Sequence, residues 1–193
     1  MTFQINEIQR DIVVSVVECA FPMSKDHGRL SLIPWDYNLA FGTFPSVIGY
    51  ENWEDPIRLL NLGIDTPLIN AEEDSRPLWK LIHRHPEYLS VYHETLNTLL
   101  SDHLLSGAYE AEIDRVSGML LPWIEKDPMA FCDAEAFQIA CETMKTFLAI
   151  RTESIRRQLA GELPTVSEAQ ETRDMVDASG LELRSLGALI VGK

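Results

Sequence analysis

Positive charge is in short supply in this sequence. Its 193 residues carry 16 Lys and Arg against 30 Asp and Glu, a formal net charge of −14 and a pI near 4.7. Nucleic-acid binding draws affinity from basic side chains that displace phosphate counterions, so this balance argues against a nucleic-acid partner. It also leaves no basic surface for an anionic membrane. Long apolar runs are missing too. No stretch nears the roughly 18 consecutive apolar residues of a spanning helix, so no membrane span is expected. Cysteine is scarce: Cys19, Cys132 and Cys141 form no C-x-x-C pair, and their odd count and wide spacing do not suggest a disulfide framework. Cys141 falls on an apolar helical stripe and is expected as a small core residue.

Recognised catalytic strings are also absent. There is no H-E-x-x-H, and neither His83/His85 nor His93/His103 has a ligand spacing, so no zinc site is expected. No G-x-S-x-G, G-x-G-x-x-G or complete G-x-x-x-x-G-K-[ST] occurs either. The apolar run Ile12–Val17 is flanked by Glu7, Asp11 and Glu18 and is too short for a secretory signal. No compartment is assigned.

What is present is ordinary globular material, 46% apolar and 24% charged, enough for one domain with a core. Ile12–Val17 is almost wholly β-branched. It precedes a polar turn over Ser24–Gly28 and a second apolar run, Leu30–Ile33, and together these predict a β-hairpin that Pro34 ends. Residues 43–75, with Pro45, Gly49, Pro56, Gly63 and Pro67, read as a long loop with a helical turn at Pro56–Leu60.

Apolar residues then recur at steps of three and four. Leu78, Trp79, Leu81 and Ile82 predict a short helix, and Pro86 opens one through Tyr92, Leu96 and Leu100. A third is expected over Ala108–Lys126, kinked at Pro122. A fourth is capped by Asp133, lined by Phe137, Met144, Phe147, Ile155 and Leu159, and closed by Gly161. Trp79 and Trp123 are expected in the helical core. The expected class is therefore α+β: a short N-terminal hairpin or sheet edge, a long loop, then a mainly helical lobe. Residues 1–164 form that lobe, and residues 165–193 form an acidic linker, over 165–179, and a tail that is either a docking strip or a disordered end.

The densest chemical signal is Ile33-Pro34-Trp35-Asp36-Tyr37-Asn38-Leu39-Ala40-Phe41-Gly42. On an extended chain Asp36 and Asn38 point to the same side. A carboxylate and an amide supply hard oxygen ligands, which suit Mg²⁺ with water and phosphate completing its shell. The same residues also suit an Asx turn closed by Gly42. Both readings stand on the residues alone.

This string resembles the signature of the CotH family, atypical protein kinases named from a spore-coat protein, in which I-P-W-D-x-D-x-x-F-G or a close variant recurs. Further similarities follow in order: Asp65-Thr66-Pro67, Asp74-Ser75-Arg76-Pro77, Pro86-Glu87-Tyr88, Glu125-Lys126-Asp127-Pro128 with Phe131-Cys132, and Arg151-Thr152-Glu153-Ser154-Ile155. They cover about residues 19–165.

The resemblance implies a kinase-like C-terminal lobe of an enzyme that moves the γ-phosphoryl of ATP to protein Ser or Thr. Asp36 would be its Mg²⁺ ligand, and Asn38 would stand where the family often has a second Asp. The implied partner is a protein substrate or a coat or surface protein. The family's nucleotide-binding half, with its phosphate-holding Lys, is expected upstream of this chain, which then acts weakly or not at all by itself. The alternative is a non-catalytic remnant, an interaction module of spore-coat type that keeps only the helical lobe. No catalytic or nucleotide-binding residue is assigned. Asp11 stands at about the family's catalytic distance ahead of Asp36, but its neighbours Arg10 and Ile12-Val13-Val14 do not resemble the family. Arg76 is expected to pair locally in its loop.

Overall fold

The computed structural model describes Phe41, residues 54–69 and residues 72–187. Helix starts follow local chemistry. Helix α1 (Pro56–Leu60) begins where the Asp55 carboxylate accepts from the Arg58 backbone N–H at 3.1 Å and Pro56 takes the first helical position. Helices α2 (Pro77–Arg84) and α3 (Pro86–Leu99) are parted at His85, whose backbone is extended because Pro86 clashes with a helical residue before it. Helix α3 passes into a π-helical turn, Leu100–Leu104, and Gly107 in the left-handed region starts α4 (Ala108–Ile124). Pro122 sits in the last turn of α4, which ends two residues short of the expected Lys126.

Helix α5 (Ala134–Leu159) is the longest at 26 residues. Asp133 caps it, accepting from Ala136 N–H at 2.8 Å. Gly161, at φ +72°, ends it while Glu162 and Leu163 N–H both donate to the Arg157 carbonyl.

Helix α5 organises two apolar clusters. Its Ile155 packs with Ile64, Tyr92, Leu96 and Leu100, with Trp79 of α2 against them. Its Phe147 packs with Leu59 and Leu60 of α1 and with Ala178, Leu181 and Leu183. Burial of such side chains stabilises by about 1.5–3 kcal/mol each before entropy opposes it.

Three expectations change. The α+β class is corrected to a helical one, because the described residues hold helices and turns and no strand. The hairpin expected over residues 10–33 lies outside the described residues. Where a sheet could have started, between Gly63–Thr66 and Thr165–Ser167, one backbone bond (Asp65 N–H to Thr165 O, 2.9 Å) is flanked by bonds through side chains. Gly63 N–H donates to Ser167 Oγ at 2.8 Å, and Ser167 N–H to Thr66 Oγ1 at 2.8 Å. Side chains take the partners that a ladder would use. The approach is close, since a Cβ on Gly63 would lie 2.4 Å from the Thr165 carbonyl oxygen.

The stretch expected as a linker, 165–179, and the one after it, expected as a docking strip or a disordered end, return across α5 as far as residue 187 and bury Ala178, Leu181 and Leu183. The Asn61 side chain holds them, donating Nδ2 to Val176 O and accepting from Val176 N–H, both at 2.9 Å. Finally, Trp123 is 71% exposed and not in the core, whereas Trp79 does pack, edge-on against Tyr92.

Candidate functional site

Asp36 and Asn38 lie outside the described residues, but Phe41 of the same string is described. Its backbone is left-handed, φ +60°, the one such residue other than glycine among those described. That conformation costs an L-residue about 1–2 kcal/mol and persists where surrounding structure over-determines it. The side chain is packed. The Phe41 ring stands edge-on to Phe147, centroids 5.6 Å apart and planes at 77°, and Phe41 packs against both core clusters. Phe147 is fully buried. Helix α5 therefore grips the motif at its aromatic residue, a few residues after Asp36 and Asn38.

A second feature brings together two strings that are far apart in sequence. Arg151, Ser154 and Gln158 form a buried polar stripe on α5. Arg151 Nη1 donates to the carbonyls of Leu60 (3.1 Å) and Leu62 (2.7 Å). Gln158 Oε1 accepts from Ile64 N–H at 2.8 Å, and its Nε2 donates to Ser154 Oγ at 3.1 Å and to Leu62 O at 3.3 Å. Tyr92 OH donates to Ile64 O at 3.0 Å. The turn Asn61–Thr66 has little regular structure of its own, and this clamp satisfies its polar backbone groups. Asn61 and Gln158 were not singled out from the sequence. The spacing of Arg151, Ser154 and Gln158, which places three polar groups on one side of a helix, is the signal that could have found the stripe.

Beside the clamp, His93 Nε2 lies 2.7 Å from Asp65 Oδ1, and Asp65 is buried. Burial pushes the Asp65 carboxyl up. Hydrogen bonds from His93 and Thr165, with the nearby imidazoles of His93 and His83, outweigh that and hold it below the ordinary aspartate range. His83 stacks on Trp79, ring centroids 5.9 Å apart. A lowered folded value means that the stabilisation from Asp65 is complete above the unfolded value, about 3.9, and is lost as pH falls through the folded one. Urea unfolding below about pH 4 should therefore show a steeper loss of stability in the parent chain than in Asp65→Asn. Parallel curves would contradict this. Arg76 bonds locally to the carbonyl and hydroxyl of Ser75.

Among the described residues no group of three His, Cys, Asp or Glu side chains could hold a metal ion. None of the described helices is long and apolar enough to cross a membrane.

A family model described as CotH kinase protein matches residues 21–155. The chain belongs to the CotH kinase protein family. No curated protein and no solved structure matches it. The span shared with the CotH family contains Asp36, Asn38 and Phe41, the Asn61–Thr66 turn and α5 as far as Ile155. The motif, its aromatic anchor and most of the clamp thus belong to the CotH portion. The donor set fits a hard divalent cation, since Asp36 offers carboxylate oxygens and Asn38 an amide oxygen.

Proposed function

We propose that this chain is the cation-holding lobe of a protein kinase that moves the γ-phosphoryl of ATP to Ser or Thr of a protein substrate. The observation that carries the proposal is the gripped Phe41. A string with donors at Asp36 and Asn38 is tied to the most buried part of α5 through a residue held at φ +60°. Phosphoryl transfer depends on positioning and charge stabilisation more than on covalent chemistry, so an anchored residue close in sequence to the proposed donors supports this reading.

In this reading Asp36 and Asn38 would hold Mg²⁺, which when bound supplies charge neutralisation at the nucleotide phosphates. Asp36 contributes the negative charge of the pair. Asn38 contributes a neutral oxygen, so the site holds its cation less tightly than one with two carboxylates. Asn38→Asp should lower the Mg²⁺ concentration at which ATP binding is half-saturated, measured by calorimetry on the full chain. An unchanged value would count against Asn38 as a ligand. A non-catalytic interaction module is the second reading, favoured by the apolar side chains exposed on the ordered loop after α4.

A further inference from the structure

The nine residues joining α4 to α5 form an ordered loop with an unusual surface. Trp123, at the end of α4, is 71% exposed, and Met129 and Phe131 are 82% and 109% exposed. The backbone beneath them is tightly bonded. Lys126 and Asp127 N–H both donate to Trp123 O, at 3.1 and 3.0 Å, and Ala130 N–H donates to Asp127 O at 3.1 Å. The Asp127 carboxylate accepts from Met129 N–H at 2.9 Å, and Asp133 caps α5 at the far end. Large apolar side chains on a constrained loop are already arranged for contact, so ordering them on binding costs little. Aromatic and Met side chains are the types enriched at the centres of protein interfaces.

Charge selects the occupant. The same loop forms an open groove of about 430 Å³ lined by Glu125, Asp127 and Asp133 among apolar and small residues. Lys126 is its lone basic side chain, and the whole chain carries −14. An anionic lipid surface would be repelled by these carboxylates. A second copy would bring the same carboxylates against themselves. A basic protein segment with apolar anchors complements both features.

We propose that the loop from Trp123 to Asp133 is a docking site for a basic, apolar-containing segment of another protein. The site does not depend on the kinase reading, because it uses none of the residues assigned to the cation.

The test uses the full chain and a labelled synthetic peptide of alternating Arg and Leu, followed by fluorescence anisotropy. The peptide should bind, more weakly as salt rises. Affinity should fall at least about tenfold in Trp123→Ser/Phe131→Ser, a loss typical of removing central aromatic anchors. Glu125→Lys should weaken binding without altering the apolar surface. Both variants change exposed side chains, so an unchanged thermal unfolding curve should accompany them. Equal binding of a Glu and Leu peptide, or full affinity in the double variant, would overturn the proposal. So would a dimer of the chain that the double variant abolishes, or preferential retention on phosphatidylserine vesicles.

Discussion

Arg151→Met should lower the free energy of unfolding by about 3 kcal/mol, because a hydrogen bond from a charged donor contributes about 1.5–3 kcal/mol and a buried acceptor left bare is penalised. Arg151 is 1% exposed, and its Nη1 serves the Leu60 and Leu62 carbonyls together. Methionine fills much of the volume and offers no donor, so packing is largely kept while the two acceptors lose their cationic partner. The loss should appear as a lower urea midpoint at unchanged slope. Arg151→Lys keeps the charge as a single point on a flexible stem, with no planar fork, and should lie between the two. A change below about 1 kcal/mol in Arg151→Met would show that α1 and the Asn61–Thr66 turn are held mainly by their apolar contacts.

Phe147→Ala should cost about 3–5 kcal/mol, the usual range for deleting a buried aromatic ring. Phe147 is fully buried and joins α1, α5 and the returning segment near Ala178. Its second effect is the more informative. Without the ring, Phe41 loses its edge-on partner among the described residues, and the left-handed backbone there loses one of the contacts that pack against it. Phe147→Leu removes less volume and should remain folded, so it allows the two effects to be read separately. It should lose stability modestly and lose Mg²⁺-dependent ATP binding out of proportion to that loss. Unchanged nucleotide binding in a folded Phe147→Leu chain would remove Phe41 from the account of the site.

Much of the helical lobe is legible in the sequence because its boundaries rest on local chemistry. Pro56, Pro86, Asp133 and Gly161 mark ends where a missing N–H, a cap or a left-handed residue is needed, and the structure uses each for that purpose. Burial is less legible because periodicity gives a helix face and not its neighbour. Trp79 and Trp123 both read as core, yet only Trp79 meets a partner ring. Residues 165–179 read as a linker because their apolar content is thin. Their position depends on the Asn61 amide, more than a hundred residues away in sequence. Gln158, and the role of Arg151 within its family-like string, were hidden for a related reason. Polar residues within an apolar stripe carry their meaning only when the carbonyls and N–H groups they satisfy are in view. Part of the site was legible. The Trp35–Gly42 string and the later family-like strings point to the CotH family, and one of those strings, Arg151–Ile155, supplies Arg151 and Ser154 to the clamp.

The most direct test of the account is a calorimetric titration of ATP with Mg²⁺ into the full chain and into Asp36→Ala. Saturable heat that requires Mg²⁺ is expected in the parent chain and should disappear in Asp36→Ala while the unfolding curve stays the same. Absence of heat in the parent chain, or an identical isotherm in Asp36→Ala, would contradict it.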